Sequence, residues 1–570
     1  MKRGDLPLNR TKTIRIIYLV SLLSSQWTLV TSWASLGSNR ISRLGQLRIM
    51  QRRQLHLQSI VNENDDSLKD GKDALQKHSR LCLAPMMKYT NRHFRAMMRL
   101  LSSNMMTYTE MVAADELLAD KRFHNVKELL GQSRIIPAGP SILQFGGNDA
   151  SQLHDCAKIY HEFSQTVDNK SEYTALNLNC GCPSASVSRK KCFGAALMKD
   201  PAHVTKLVRA MHDGVDGKVA ISVKCRIGVH ENNEETPFTW SKYDQISEKK
   251  EYDKLRQLVE TIADDGIVTD FHIHARIAVL GGGLSTDENR RIPPLKYEYV
   301  HKLADQYPEL NFVLNGGIHS LAQAKKELDK STIVGVMVGR ALVADPWGFS
   351  MADDLIFKDS ANDPLCTNRI ELLEAYGKHA DNEEEHNDPA MIRRSLVAPC
   401  AHLFAGEPNA LQFRIELDKI AARPEQLQRE AKSRVWSNVA SIRETSTLAS
   451  AFLGEISTGG WNDIQTSSNQ AALGLGWDDM QAIDDRTKWD ENESNLSELI
   501  LDAAHRHFGH DVLNRSRKES CDKRIWEEEQ TQLKIAKGDP VLFVTENSSN
   551  VQNSQVSGGV IDGWFKNGLN

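Results

Sequence analysis

A short apolar run that ends in polar residues and glycine, YTALNLNCGCP (Tyr173–Pro183), has the form of a buried β-strand followed by a tight loop. Similar runs recur on both sides of it. The predicted strands are Leu81–Met86, Met105–Met111, Ser141–Phe145, Tyr173–Asn179, Val219–Arg226, Asp270–Ala275, Asn311–Leu314 and Gly335–Val338. Between most of them lie stretches with apolar residues at helical spacing, such as Ala202–Met211 and Lys254–Asp264.

Alternation of strands and helices predicts an α/β fold, and eight such pairs over about 260 residues match a (β/α)8 TIM barrel, which typically takes ~250 residues. The alternative is an open doubly wound sheet, which has fewer strands and usually a glycine-rich first turn. No G-x-G-x-x-G sequence follows the first predicted strand, Leu81–Met86. The pattern therefore favours the barrel.

The composition limits the classes to which the protein can belong. A chain of 570 residues is too long for one ordinary core, so we expect more than one domain. With 40% hydrophobic and 25% charged residues, it is not a polytopic membrane protein, a wholly disordered chain or a collagen-like fibre. Its 9 dispersed cysteines indicate a thiol-reducing compartment. A net charge of −5 argues against general polyanion binding but permits a local basic patch.

The first residues have the composition of a targeting leader. No Asp or Glu occurs from Leu6 to Asn62, whereas arginines recur there. The apolar run Ile14–Leu23 is shorter than the ~20 residues that cross a bilayer, so no stable membrane insertion is expected. We predict a leader over residues 1–62 for an organelle, a plastid or a mitochondrion. A cytoplasmic location, with residues 1–62 as a basic arm or a monotopic anchor, is the alternative.

Three further regions are predicted after the leader. Residues 78–360 form the barrel, and residues 363–445 form a small all-α domain with helical periodicity at Ile370–His379, Met391–Ala405 and Leu411–Arg423. Residues 446–570 form an acidic, largely disordered extension, in which Asn495–His507 and Asp522–Lys537 are candidate helices.

Barrel enzymes carry their working residues where the strands end. Polar residues or glycines stand at these positions in the sequence: Pro85–Met87, Glu110, Gln144, Asn179–Pro183, Lys224–Arg226, His274–Arg276, Asn315–Gly317 and Gly339–Arg340. The last two groups follow strands seven and eight, where barrels commonly bind phosphate, although glycines are also common in simple turns. A buried Lys224 requires an anionic partner, either a ligand or a salt bridge within the barrel mouth.

Cys182 is the candidate reactive residue, because a thiol in a polar, partly exposed loop can act as an acid or a nucleophile. The alternative is a buried small hydrophobic residue, which is the usual role of a free cysteine. A zinc site with Cys180 and Cys192 is disfavoured because the spacing differs from the usual C-x-x-C pairs, so no metal is expected.

Several motifs together resemble one family, the tRNA-dihydrouridine synthases of the A-type subfamily. They occur in the family's order over about residues 80–425: APM (Ala84–Met86), YTEM (Tyr108–Met111), QFGG (Gln144–Gly147), NLNCGCPS (Asn177–Ser184), VKCRIG (Val223–Gly228), IHAR (Ile273–Arg276), NGGI (Asn315–Ile318) and GVMVGR (Gly335–Arg340). The resemblance implies an FMN-binding TIM barrel followed by a small helical domain that grips tRNA.

The resemblance also implies roles for particular residues. The flavin ring and ribityl chain would contact Pro85, Met86, Met87, Gln144, Lys224 and His274, and the phosphate would bind to Asn315, Gly316, Gly317, Gly339 and Arg340. Cys182 matches the catalytic cysteine. The uridine or the tRNA would contact Asn179, Arg276, Arg290 and Arg414.

The implied reaction reduces the C5–C6 double bond of a D-loop uridine, at position 20 or 20a. FMN would deliver hydride to C6 and Cys182 a proton to C5, and NADPH would be the reductant. The implied partner is tRNA, and we expect a monomer. Two alternatives stay open, namely an FMN barrel that reduces a free pyrimidine and a non-catalytic tRNA-binding protein.

Binding of tRNA by an acidic chain requires clustered cations. The candidates are Arg92 with Arg95 and Arg99, Arg189–Lys191, Arg290–Arg291 and Arg393–Arg394, any of which could instead be a solvated helix face. Asp287 replaces a lysine and Leu411 an arginine of the family pattern, which removes two expected tRNA contacts. The polar stretch His230–Glu251 is an insertion, interpreted as a surface loop or an RNA-facing flap.

Overall fold

The structure of the protein, a computed structural model, describes residues 75–424 and 495–524, apart from 120–125, 137–138, 166–172, 185–186, 188–191, 233–237, 240–242, 244–247, 283 and 359–365. The described residues, Asp264–Gly266 excepted, belong to one compact unit. The predicted leader at residues 1–62 and the basic cluster Arg189–Lys191 lie outside the described residues.

Eight parallel strands form a nearly closed barrel, which confirms the predicted fold class. They are β1 (Leu81–Leu83), β2 (Thr107–Ala113), β3 (Ser141–Gly146), β4 (Ala175–Cys180), β5 (Ala220–Glu231), β6 (Val268–Leu280), β7 (Asn311–Asn315) and β8 (Gly335–Val338). From β2 to β8, each strand pairs with the next in sequence, and β1 pairs with β8. A single parallel bridge between Cys82 and Met106 joins β1 to the start of β2 and completes the circle.

Helices follow the strands and continue into a helical region. They are α1 (Arg92–Leu101), α2 (Ala114–Ala119), α3 (Val126–Leu130), α4 (Ala150–Ser164), α5 (Pro201–Gly214), α6 (Glu248–Ala263), α7 (Glu288–Arg291), α8 (Tyr297–Gln306), α9 (Leu321–Leu328), α10 (Arg340–Ala344), α11 (Arg369–Glu385), α12 (Pro389–Val397), α13 (410–424), α14 (Leu496–His507), α15 (His510–Leu513) and α16 (517–524). No described helix is long and apolar enough to cross a membrane.

Side-chain caps fix where several barrel helices begin. The Oδ1 atom of Asn91 accepts hydrogen bonds from the backbone N–H groups of His93 and Phe94, at 3.1 and 3.0 Å, and so starts α1. Asp149 and Asp200 cap α4 and α5 in the same way. These caps satisfy N–H groups that have no partner within the helix, so the sequence determines the helix starts locally.

Two strands differ most from their predicted lengths. β5 and β6 continue past the predicted ends at Arg226 and Ala275 and pair with each other as far as Glu231 and Leu280. The longer β5 takes up the first residues of the predicted insertion at His230–Glu251. In the described part of that insertion, the Tyr243 hydroxyl donates to the buried Glu251 carboxylate at 2.8 Å, which anchors the segment to α6.

The barrel interior changes from apolar to polar toward the rim. Its lower part is filled by side chains that include Cys82, Tyr108, Ile142, Val313 and Met337. Above them lie the fully buried polar side chains Gln144, Asn177, Ser222 and His272. Buried polar groups are normally hydrogen-bonded, and this layer forms the floor of the barrel mouth.

The predicted helical domain is present, with one break. α11, α12 and α13 correspond to the three predicted helices. The second prediction, Met391–Ala405, extended too far, because the α-helix gives way to a 3₁₀ turn at Ala398–His402 that contains Pro399. Proline lacks the N–H group that would continue the α-helical ladder.

Residues 495–524 pack against the helical domain and the barrel. α14 confirms the candidate helix at Asn495–His507, whereas α16 begins five residues before the predicted Asp522. The ring of Phe508 stacks on Phe404 with 3.9 Å between centroids. The buried Arg517 donates to the carbonyls of Leu100 and Leu101 at the end of α1, at 3.1 and 2.9 Å. This part of the predicted extension is therefore an ordered portion of the folded unit.

Candidate active site

Polar side chains tie together β5, β7 and β8 at the barrel mouth. Lys224 Nζ, on β5, donates a hydrogen bond to Asn315 Oδ1 on β7 at 3.2 Å. Asn315 Nδ2 in turn donates to the Met337 carbonyl on β8 at 2.8 Å. Two of the predicted cofactor residues, Lys224 and Asn315, are thus in direct contact at the barrel mouth.

The mouth is positively charged. Burial, with a smaller contribution from the nearby Arg226, lowers the pKa of Lys224 to about 8. Burial also holds the pKa of His274 well below its ordinary value, and the cations Arg226 and Lys224 act in the same direction. His274 is therefore neutral at pH 7, whereas Lys224 is still mostly protonated. An anion that entered the mouth would relieve the repulsion among these cations.

Two glycines after β7 bring the backbone close to the side chains of the mouth. Gly316 and Gly317 have φ values of +111° and +67°, which side-chain-bearing residues rarely adopt. A Cβ atom on Gly316 would lie 2.5 Å from His274 Cδ2. The imidazole therefore packs directly against the peptide, and only glycine fits there. After β8, a Cβ atom on Gly339 would lie 3.3 Å from Met86 Sδ, so this turn meets the loop after β1.

Arg340 lies at the same rim but already has an anionic partner. Its Nη1 and Nη2 atoms lie 3.4 Å from Asp287 Oδ1 and the Arg290 carbonyl, respectively. Asp287 also accepts a hydrogen bond from Arg291 Nε at 2.7 Å. The aspartate that departs from the family pattern thus pairs with two arginines at the rim, one of which is a predicted phosphate ligand.

A buried amide network lies beneath the mouth. Asn179 Nδ2 donates to Gln144 Oε1 at 3.0 Å, and Gln144 Nε2 donates to Asn177 Oδ1 at 2.8 Å. Asn177 Nδ2 donates to Ser222 Oγ at 2.9 Å. Sequence reasoning identified Gln144 and Asn179 but missed Asn177 and Ser222. The two-residue spacing of Asn177 and Asn179 on one strand could have indicated that both side chains face the interior.

The same network positions the candidate catalytic cysteine. Asn179 Oδ1 accepts hydrogen bonds from the backbone N–H groups of Gly181 and Cys182, at 3.0 and 3.1 Å. On the other side, the Cys182 carbonyl accepts from the Ala195 N–H at 2.9 Å. Cys182 is partly exposed, and a charge on its sulfur would raise the pKa values of both Lys224 and Arg226. The thiol therefore lies in the electrostatic environment of the mouth.

The neighbouring cysteines lack this environment. Cys180 and Cys225 are buried, and burial raises the pKa of the Cys225 thiol to about 12 and that of Cys180 well above its ordinary value. Both remain protonated packing residues at neutral pH. Of the three, Cys182 alone is accessible.

Arg226 connects the loop that carries Cys182 to the loop after β6. Its Nε donates to the Gly181 carbonyl at 3.0 Å, and its Nη1 donates to the carbonyls of Ile277 and Asn289, each at 2.8 Å. Burial lowers its pKa to about 9. The sequence placed Arg226 at a strand end but gave no indication that it joins two rim loops.

The remaining predicted tRNA contacts have different surroundings. Arg276 is half-buried near the rim and donates to the Pro293 carbonyl. Arg290 is also half-buried, and its Nε donates to the Thr286 carbonyl at 3.1 Å. Arg414, on α13, is only 6% exposed and lies 3.4 Å from His402 Nδ1. These side chains are tethered before any RNA binds.

Four of the proposed RNA-facing cations are buried, so their assignment to an exposed basic face was wrong. The side chain of Arg92 pairs with Glu383 at 2.8 Å, and that of Arg393 pairs with Glu384 at 2.6 Å. Arg95 and Arg99 are 7% and 5% exposed and bond to backbone carbonyls. By contrast, Arg291 and Arg394 are exposed. Among the described residues, no cluster of three or more His, Cys, Asp or Glu side chains could hold a metal ion.

Comparison with known proteins finds one family. The family model described as dihydrouridine synthase matches residues 82–439, which include the barrel and α11–α13. The chain is 34% identical over 364 residues to a protein named tRNA-dihydrouridine(20/20a) synthase from Synechocystis, covering 63% of this chain and 96% of the relative.

Proteins of the same name from other bacteria give similar matches. Identity to the protein from Shewanella oneidensis is 37% over 342 residues, covering 60% of this chain and 88% of the relative. Identity to that from Escherichia coli is 33% over 359 residues, covering 63% and 91%. Residues 495–524, which pack on the helical domain, lie beyond the end of the family match at residue 439.

Proposed function

Because this chain belongs to the dihydrouridine synthase family, we propose that it reduces the C5–C6 double bond of a tRNA uridine to give dihydrouridine. The relatives' names point to D-loop positions 20 and 20a as the target. The observation that carries the proposal is the position of Cys182, a partly exposed thiol, in a cationic barrel mouth beside Lys224 and Arg226.

The residues of the mouth suit FMN as the resident cofactor. Lys224 is a half-buried cation whose pKa is lowered by burial, so it would gain from an anionic partner, and reduced flavin carries negative charge at N1 and O2. The glycine backbone after β7 and β8 can approach a phosphate closely, and Asn315 and Arg340 supply donors beside it. Pro85, Met86 and Met87 would supply apolar contacts to the flavin, and Gln144 and His274 would supply polar ones. FMN, when bound, supplies the hydride for C6 and is recharged by NADPH.

Cys182 supplies the proton that completes the reduction. The Sγ–H bond breaks, and the proton goes to C5 of the uracil as hydride addition at C6 leaves negative charge there. The thiolate that remains is stabilised by the cations Lys224 and Arg226 until it takes a proton from water. The Cys182 N–H donates to Asn179 Oδ1 and the Cys182 carbonyl accepts from the Ala195 N–H, and these bonds hold the loop, and therefore the sulfur, in place during this step.

The uridine must leave the stacked tRNA to reach the mouth. Extruding a base costs a few kcal/mol, which contacts with the rest of the tRNA must offset. We assign this role to exposed cations such as Arg291 near the mouth and Arg394 on α12, together with the half-buried Arg276 and Arg290. Arg414, which is buried on α13, supports the helical domain from within.

The proposal is tested with purified full-length protein, FMN, NADPH and an unmodified tRNA transcript, with dihydrouridine measured by mass spectrometry. We expect Cys182→Ala to lower the rate by about 10²–10⁴-fold, the range for loss of a general acid. Cys192→Ala removes an exposed cysteine of the same segment and should retain activity. An unchanged rate in Cys182→Ala would contradict the assigned role.

Two further arms distinguish the alternatives. Reduction of free uridine as fast as tRNA would favour a small-pyrimidine reductase. Binding of tRNA without flavin absorbance and without any dihydrouridine would favour a non-catalytic RNA-binding protein. We expect neither result, because the helical domain and the cationic mouth are both present.

We also propose that residues 1–62 direct the protein to a plastid or a mitochondrion. The support is compositional, since the stretch lacks acidic residues from Leu6 onward and carries repeated arginines. A fusion of residues 1–62 to a fluorescent protein should accumulate in one of these organelles. Uniform cytoplasmic fluorescence would contradict the proposal.

A further inference from the structure

Helix α1 carries three arginines although the whole helix is buried, and a buried helix face is normally apolar. Arg92, Arg95 and Arg99 are spaced three and four residues apart, which places them on one side of the helix. All ten residues of α1 are buried, because the helix lies between the barrel and the helical domain. Three guanidinium groups are therefore held inside the protein, a rare arrangement unless each charge is compensated.

These arginines line a small, partly open space of about 10 Å³ between α1 and the barrel wall. The other lining residues include Thr107, Ser141, Gln132 and Ser133. Thr107 and Ser141 are the first residues of β2 and β3, so the cavity lies toward the N-terminal end of these strands. The proposed active site is at the C-terminal ends of the strands, and the two sites are therefore separate.

The charges lining the cavity are incompletely neutralised. Arg92 pairs with Glu383 at 2.8 Å. Arg95 instead donates to the carbonyls of Thr90 and Gly131, at 2.9 and 3.1 Å, and to the Tyr173 hydroxyl.

Arg99 is likewise bonded to neutral groups, donating to the carbonyls of Ser103 and Pro140 at 2.8 and 3.0 Å. Among the described residues, neither Arg95 nor Arg99 has a carboxylate within salt-bridge distance. Burial accordingly lowers the pKa of Arg99 to about 10.

Two donors around the cavity have no acceptor within the described part of the chain. They are Arg95 Nε and Gln132 Nε2, both buried. Arg95 is 93% buried, since its exposed fraction is 7%. A buried donor left without an acceptor costs about 1–3 kcal/mol, and more when it is charged. A ligand that accepts hydrogen bonds and carries negative charge would remove both penalties.

We propose that this cavity binds a small inorganic anion, of the size and charge of a halide. The surrounding groups are donors with positive charge, which selects an anion over a cation or a neutral molecule. The space of about 10 Å³ has room for about one water-sized group, which excludes a nucleotide or any other organic ligand. The anion would act as a permanent counter-ion that holds α1 between the barrel wall and the helical domain.

The first experiment measures thermal unfolding of the full-length protein in chloride and in gluconate at equal ionic strength. We expect the Tm to be higher in chloride by about 2–4 °C. A shift of this size results when an anion binds only the folded state and its concentration is about ten times its Kd. Gln132→Glu places a carboxylate at the cavity, so it should abolish the chloride-dependent part of the shift. Gln152→Glu makes the same change on an exposed surface and should leave that shift intact.

The second experiment does not depend on a variant. Crystals of the wild-type protein grown in bromide should show an anomalous scattering peak within hydrogen-bonding distance of Arg95 Nε and Gln132 Nε2. A cavity that holds only water, or equal chloride-dependent shifts in the wild type and Gln132→Glu, would overturn the proposal. Dihydrouridine formation does not enter either readout, so the result is independent of the proposed activity.

Discussion

Lys224 and Asn315, which are 91 residues apart in sequence, meet across the barrel mouth through a hydrogen bond of 3.2 Å. The contact fixes the ammonium group of Lys224, on β5, beside the glycine backbone that follows β7. It brings together the cation and the phosphate-binding loop that an anionic cofactor needs. The first two predictions follow from this pair.

Replacing Lys224 with Gln should weaken FMN binding by about 10- to 100-fold, because a hydrogen bond to a charged group contributes about 1.5–3 kcal/mol. The measurement is quenching of FMN fluorescence on titration with the protein. Lys206→Gln, at an exposed position of α5, serves as the control and should bind FMN normally. Equal affinity in both variants would exclude Lys224 from the cofactor site.

The affinity for FMN should also depend on pH. The pKa of Lys224 in the ligand-free protein is about 8, so the ammonium form is present below pH 8 and is lost as the pH rises through that value. FMN affinity should therefore be constant near pH 7 and decrease between pH 8 and 9.5. In Lys224→Arg the charge persists over this range, and any decrease that remains would belong to another group.

His272 should make the fold sensitive to acid. Burial lowers its pKa to about 3, whereas the unfolded chain binds the proton near the ordinary value of 6.5. The unfolded state therefore binds more protons between these values, and stability falls as the pH drops from 6.5 toward 3, by up to about 1.4 kcal/mol per pH unit.

Denaturant unfolding at pH 6.5, 5.5 and 4.5 measures this effect. His272→Gln retains a side chain that can bond the Tyr108 hydroxyl, which lies 2.7 Å from His272 Nε2, and should show a shallower pH dependence than the wild type. His154→Gln, at a more exposed position, should follow the wild type. Parallel curves for the wild type and His272→Gln would refute a neutral buried imidazole.

Asp287→Asn should strengthen tRNA binding. The aspartate pairs with Arg291 at 2.7 Å and with Arg340 at 3.4 Å, and its removal leaves more positive charge at the rim. We expect about a 3- to 10-fold lower Kd at low salt, with a steeper loss of affinity as salt is added, since affinity for phosphates depends on counterion release. Asp213→Asn, an exposed neutralisation at the end of α5, is the control. A Kd that falls equally in both variants would indicate a general charge effect.

Arg517→Met should destabilise the protein by about 2–4 kcal/mol. The side chain donates to the carbonyls of Leu100, Leu101 and Ser350, which would be left buried without this donor. Its neighbour Lys518 is exposed, so Lys518→Met is a matched control for loss of a charge. Denaturant midpoints measure the difference, and equal midpoints would show that residues 495–524 contribute little to the fold.

The strand pattern predicted the barrel well because parallel strands buried on both faces are apolar over their whole length. The extensions of β5 and β6 could not be predicted in the same way. Residues such as His230 and Glu231 are polar, and they are in a strand only because β5 and β6 pair beyond the rim. Such pairing depends on the neighbouring strand and leaves no local periodicity.

The sequence predicted the site residues that the strands position. It did not predict the contacts that form between one rim loop and another. Lys224 on β5 and Asn315 on β7 lie on strands of one barrel with only β6 between them, so their proximity follows from topology. The Arg340–Asp287 pair and the bridge made by Arg226 depend on loop conformations that sequence spacing does not determine. Arg92, Arg95 and Arg99 were misassigned because their charge suggested exposure, whereas the packing of α11 against α1 buries them.

The C-terminal segment has a practical consequence for how this gene product is produced and interpreted. A version shortened to end at residue 439 would keep every motif shared with the bacterial relatives. It would also lose Phe508 from its stack on Phe404, and Arg517 from the end of α1. Truncation at a boundary taken from an alignment would therefore expose the apolar ring of Phe404 and leave the carbonyls at the end of α1 without their donor. Poor solubility of such a fragment would be a result of the truncation and not a property of the full-length enzyme.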